Sequence, residues 1–210
     1  DFTSPISADS SKISDPKFGG GTSSGSDIEY FSGSTAELKS NISETFNLKK
    51  YNISEKQFNE SFGMVANTLA FIESNNVVDA IQKSDKNSSG IGPARGLFQY
   101  ESTATGGINA AQTALNRHKK VTGESITETD FSKLSRGQQI RILLSDQAKI
   151  KGTTAGIKKV IEANTPEELA QALTQYWGKF HKKVTTPKEL KKIKQKILSN
   201  LKHIRNLNIF

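Results

Sequence analysis

Phe58, Phe62, Val65, Leu69 and Ile72 recur at intervals of four, three, four and three. That spacing is the period of one helix face, and an alternating strand cannot reproduce it. Ser54 followed by Gln57 stands just ahead of the run as a capping box, so an apolar helix is predicted to start there and to end near Glu73 and Ser74. Two further start signals share one wording, Thr165-Pro166-Glu167-Glu168 and Thr186-Pro187-Lys188-Glu189. Each offers a capping Thr, a Pro at the first helical position and a Glu at the third. The second opens a helix with Leu190, Ile193, Ile197, Leu201 and Ile204 on one side. Residues 107–120 and 135–150 also read as helices, and no alternating strand longer than four residues appears. The predicted fold is mainly α, with one short β-hairpin in the loop between Gln82 and Tyr100.

Helix signals begin only after a different kind of segment. Residues 1–34 are rich in Ser, Gly and Asp, with the run Gly19-Gly20-Gly21-Thr22-Ser23-Ser24-Gly25-Ser26. Such a stretch buries too little apolar surface to offset its ordering entropy, so it is expected to be a flexible arm or linker. The folded domain is expected over 35–210. The chain starts with Asp1 rather than Met and shows no secretory signal, which suggests a processed or excised piece of a longer protein. No apolar run approaches the roughly 20 residues of a membrane span. The chain has no cysteine and three scattered histidines, His118, His181 and His203, so neither a disulfide framework nor a metal site is expected and no cofactor is implied.

Charge is the other compositional lever. Lys and Arg number 29 against 21 acidic residues, a formal net charge of +8. Much of the excess falls in the last thirty or so residues, from Lys179 to Arg205. A solvated helix face accounts for such a run; nucleic acid or a negatively charged wall polymer is the alternative partner.

The chemistry concentrates between Phe71 and Thr105. Phe71-Ile72-Glu73-Ser74-Asn75 puts a carboxylate at the end of the apolar helix, beside Leu69 and Ala70 at the border of the buried stripe. A free Glu has a pKa of about 4.3, so a Glu that is to donate a proton near neutrality needs burial to hold it. After a polar loop comes Gly92-Pro93-Ala94-Arg95-Gly96-Leu97-Phe98-Gln99-Tyr100. Gly92 and Gly96 permit a tight turn, and Gln99 can donate and accept toward an N-acetyl group. If the run is extended, Phe98 and Tyr100 point to opposite sides, one inward and one toward a sugar ring. The plainer alternatives are a surface acid at a helix end, and a turn into a buried strand that leaves Gln99 on the surface.

This pair of segments resembles the lysozyme-like lytic transglycosylases and goose-type lysozymes, in which a Glu-Ser step precedes a Gly-Ala-x-Gly-Leu-Met-Gln stretch. The likeness covers about a sixth of the chain. It implies a lysozyme-like helical domain and cleavage of the bond between N-acetylmuramic acid and N-acetylglucosamine in peptidoglycan. Carried onto this chain, Glu73 is the catalytic acid and then base. Ser74 matches a residue that supports the substrate or the Glu, Gly96 and Leu97 match the turn, and Gln99 matches the sugar-contacting Gln. Tyr100 follows as a candidate sugar-facing aromatic. In the transglycosylase course the muramyl 6-hydroxyl attacks intramolecularly, so a second carboxylate is not required.

Three departures stand beside the likeness. The stretch from Gln82 to Ile91 looks like an insertion, and Phe98 takes the place of the commoner Met. The third family signature, Ala-Tyr-Asn-Ala-Gly, has no direct counterpart. Its best substitute is Leu173-Thr174-Gln175-Tyr176-Trp177-Gly178, where the Tyr176 hydroxyl could reach Glu73 and Trp177 could offer a stacking face. The alternative is that both are core aromatics. The run from Tyr176 to Lys182 also resembles the aromatic-rich helix end of phage virion lysozymes. For a hydrolytic pair, Glu101 is the first candidate second acid, with Asp79 and Asp85 behind it.

The expectation is therefore a peptidoglycan-cleaving glycosidase, carried on a phage virion and acting in the bacterial wall or periplasm. Its partners would be glycan strands and, through the N-terminal arm, other virion proteins. A catalytically inactive lysozyme-fold virion or wall-binding module is the second expectation, and a basic helical nucleic-acid or assembly protein the third.

Overall fold

The computed structural model describes residues 43–84, 89–102, 109–182 and 186–206. The predicted arm and Asp85 lie outside these residues. A short helix α1, Leu48–Tyr51, leads into α2, Glu55–Ser74. Ser54 opens α2 as expected: its hydroxyl accepts from the Gln57 N–H at 3.2 Å while its own N–H donates to the Gln57 side chain at 3.0 Å. Ser54→Ala should cost about 1 kcal/mol of stability, read from chemical denaturation, because the Gln57 N–H loses its acceptor. Phe58, Phe62, Val65 and Leu69 are all buried, so the spacing did mark the core face.

Asn75 ends α2 in the left-handed region with φ at 52°. The N–H groups of Asn75 and Asn76 donate to the carbonyls of Phe71 and Ala70 at 3.1 and 3.0 Å, closing the last turn. Glu73 thus sits one residue before the stop.

The chain then forms the small sheet. Strands β1 (Ile81–Lys83), β2 (Ile91–Arg95) and β3 (Tyr100–Glu101) pair antiparallel in that order. Ile81 faces Arg95 across the first ladder, and Arg95 faces Tyr100 across the second. The expected hairpin is present and carries a third strand. The segment read as an insertion supplies the first hairpin. Phe98 and Tyr100 do not lie on an extended run: residues 96–99 make a tight turn, and both aromatics are buried.

Helices complete the domain: α3 (Ala110–Thr122), α4 (Arg136–Ala148), α5 (Thr153–Ile161), α6 (Pro166–Tyr176) and α7 (Pro187–Asn206). Capping boxes at Ser135 and Thr165 start α4 and α6. Helix α7 packs on α6 and α2, α2 also meets α5, and α3 lies against α4. At the α3–α4 contact the His118 ring, fully buried, bridges Ser145 Oγ at 2.9 Å and Glu124 Oε2 at 3.0 Å. Ile140, Ile142, Leu143 and Leu144 of α4 are in the core. On α7, Ile197, Leu201 and Ile204 face inward, while Lys188, Lys191, Lys192 and Lys202 are exposed on the outer side. Among the described residues, no helix is long and apolar enough to cross a membrane.

Candidate active site

Between α6 and α7 the chain winds as a single π-turn, Trp177–Lys182. In an α-helix a residue four positions on shares the face of the first, while one five positions on lies about 140° around the axis. The i→i+5 winding of a π-turn brings that fifth residue, here Lys182, back toward the face of Trp177 and His181. Trp177, His181 and Lys182 converge on one point, and that point is the Glu73 carboxylate. The Trp177 indole N–H donates to Glu73 Oε1 at 2.6 Å. Lys182 Nζ reaches Oε2 at 2.8 Å, and His181 Nε2 stands 3.8 Å from Oε1.

The Glu73 side chain is only 6 % exposed. An acid in the last turn of a helix also meets the negative end of the helix dipole, and α2 has no basic residue in its own last turn to offset it. Burying a carboxylate there is costly unless donors surround it. Here they come from a segment 104 residues away. Lys196 of α7 brings a second lysine near, its Nζ 5.0 Å from the Phe71 ring centroid. Its burial pulls its pKa below the usual lysine value, against the opposing pull of Glu73.

His181 connects this carboxylate to the turn at 96–99. The ring hydrogen-bonds the backbone of Phe98 and stands edge-on to Tyr100 at 6.2 Å. Tyr100 in turn donates its hydroxyl to Asp146 Oδ2 at 3.0 Å, and Arg117 Nη1 holds the other Asp146 oxygen at 2.6 Å. Burial lowers the His181 pKa; Lys182 lowers it further, while Glu73, Asp146 and the Phe98 backbone oppose the shift. A histidine whose folded pKa lies below its unfolded value of about 6.5 binds fewer protons folded than unfolded, so stability rises with pH between the two values. Its contribution should be complete above about pH 6.5 and decline as the pH falls below it, while His181→Gln should flatten that part of the melting-temperature profile.

The turn itself rests on Gln139 of α4. The Gln139 Oε1 accepts from the Leu97 N–H at 2.7 Å, and its Nε2 donates to the carbonyls of Val78 and Leu134 at 2.9 and 3.0 Å. Gly96 is required on two counts: φ is +76°, and a Cβ there would collide with the Gln139 amide.

The predicted residues separate into two groups. Glu73, Gly96, Gln99 and Tyr100 are joined through the turn and His181. Gln99, itself at φ 53°, donates from Nε2 to Gly96 O at 2.8 Å and Ala80 O at 3.4 Å, so its amide nitrogen braces the turn. Leu97 is fully buried, so its side chain belongs to the core and only its N–H serves the turn. Ser74 donates its hydroxyl back to Ala70 O at 3.0 Å. Tyr100 is buried too, its hydroxyl directed at Asp146 rather than outward to a sugar.

Tyr176 corrects the sequence reading in a specific way. It is 1 % exposed, packs its ring at a tilt against Phe180 with centroids 4.9 Å apart, and feels the charge of Asp146; burial pushes its pKa well up. The neighbour Trp177 holds Glu73 instead. Glu101 and Asp79 are exposed. Sequence reasoning missed His181, Lys182 and Asp146. The aromatic-rich end at 176–182 was the signal for the first two, but α-helical phase sets Lys182 well off the face of Trp177. A groove of about 470 Å³ bordered by Lys159, Glu162 and Lys194 shares no residue with this cluster. No family model, no curated protein and no solved structure matches the chain.

Proposed function

We propose that the chain cleaves the β-1,4 bond between N-acetylmuramic acid and N-acetylglucosamine in peptidoglycan, as a lytic transglycosylase or muramidase with Glu73 as the acid, and that a phage particle carries it for local wall penetration. One observation carries the reading. A helix-terminal glutamate, 6 % exposed and opposed by its own helix dipole, is held by a π-turn and linked through His181 to the Gly96–Gln99 turn. Such an expense for one carboxylate suits a reactive acid better than a fold-building one.

In this reading the glycosidic oxygen takes the proton of the Glu73 carboxyl as the bond to the muramyl C1 breaks. Lys182 is the partner that gives way, since its side chain is 36 % exposed while those of Glu73 and His181 are enclosed. The muramyl 6-hydroxyl or a water then attacks C1, and the Glu73 carboxylate takes the proton that is lost. Asp146 is engaged by Arg117 and Tyr100, which leaves it poorly placed to activate water and favours the one-acid course.

A second reading has its own observation. Both Glu73 oxygens already have donors, Trp177 and Lys182, as a purely structural acid would. A catalytically inactive wall-binding or virion module would look the same. Turbidity of purified peptidoglycan separates the two: clearing supports the enzyme, and no clearing across mildly acidic to neutral pH sinks it. Muropeptide masses then divide the chemistry. Products one water lighter than the hydrolysed species mean ring closure by the 6-hydroxyl.

A further inference from the structure

We propose that His181 is a positioning residue for Glu73, fixing where its carboxylate lies relative to the Gly96–Gln99 turn; the catalytic part of this claim rests on the function proposed above. The His181 ring is enclosed, with its side chain 7 % exposed, and lies between the acid and the turn. On one side Nε2 stands 3.8 Å from Glu73 Oε1, beyond a good hydrogen bond but well within reach of charge. On the other side the ring bonds the Phe98 backbone. Tyr100 meets it edge-on, and Tyr100 itself donates to Asp146, which Arg117 holds from the half-exposed side. A line of contacts thus runs from Arg117 through Asp146, Tyr100 and His181 to Glu73. It joins α3, α4, the sheet and the π-turn to the end of α2.

Two features separate this role from packing. An apolar ring such as Phe180 would fill the same space without a polar link to Phe98. The π-winding also aims His181 and Trp177 at the same carboxylate oxygen, Oε1. Trp177 supplies the hydrogen bond, and His181 limits the directions from which that bond can be met. The charged and titratable groups facing the ring are Glu73 from α2, Asp146 from α4, Tyr100 from β3 and Lys182 from its own turn.

The test uses the full chain and one built-in probe. There is a single tryptophan, so its indole N–H gives one NMR resonance, and that N–H is the one bonded to Glu73. His181→Ala should shift the indole resonance and speed its solvent exchange. On peptidoglycan the same variant should lower kcat by about 10–100-fold with KM nearly unchanged, as loss of an orienting partner does. His181→Asn and His181→Gln each restore one ring nitrogen as an amide, and at least one should recover most of both signals. If the alanine variant does not fold, His181→Leu, which fills the space without a polar atom, carries the same readouts. An indole resonance that stays put when His181 is replaced by Ala or Leu overturns the proposal, as does a raised KM with unchanged kcat in that variant. If the wild type clears no peptidoglycan, the functional reading fails, and the indole measurement still decides whether His181 places Glu73.

Discussion

Glu73→Gln is expected to lower glycan cleavage by about 10²–10⁴-fold while leaving the fold intact, because the amide keeps the shape and loses the transferable proton. The structural cost should be small. The Gln Oε1 can still accept from the Trp177 indole, whose bond to the acid is 2.6 Å. Lys182 loses its ion partner, but its side chain is 36 % exposed and turns to water, so that pair adds little. Turbidity clearing and a thermal melt on one preparation check both halves. A variant that clears peptidoglycan at more than a tenth of the wild-type rate would remove Glu73 from the acid role.

Gly96→Ala should be the most damaging small substitution in the site, costing about 2–4 kcal/mol in chemical denaturation. Two penalties coincide. The backbone sits at φ +76°, where a Cβ is strained, and that Cβ would occupy the space of the Gln139 amide. Gln139 cannot yield cheaply, since moving it breaks its bonds to Leu97, Val78 and Leu134 together. Leaving those buried groups unpaired costs more than the strain alone. A loss under about 0.5 kcal/mol would mean that the turn can be rebuilt without Gln139. Activity should fall along with stability, because the turn also carries Phe98, the anchor of His181.

What could be read from the sequence was local. The α2 face, its capping box at Ser54, the Thr-Pro starts and the hairpin all rest on neighbours within a few residues, and the structure contains each of them. Glu73 was legible as an acid at a helix end for the same reason. Its partners were not. Matching the third family signature pointed to Tyr176, whereas the chain changes pitch at Trp177 and presents that residue and the two at the end of the turn. Asp146 was hidden for another reason: its partners Arg117 and Tyr100 lie 29 and 46 residues away, with no spacing rule to link them. Leu97 and Tyr100 carried a family-like wording, yet their side chains pack inward because the 96–99 turn folds against α4.

The π-turn at Trp177–Lys182 has a consequence for how the molecule comes into being. Every close donor to Glu73 is encoded at least 104 residues after it, so a growing chain carries the carboxylate before any of them. The Leu97–Gln139 link, 42 residues apart, can form well before that. On a growing chain the brace of the turn is thus available before the donors that seat the acid. A nascent or truncated chain ending short of Trp177 would own the glutamate and the turn, yet lack the fixture that holds them in register.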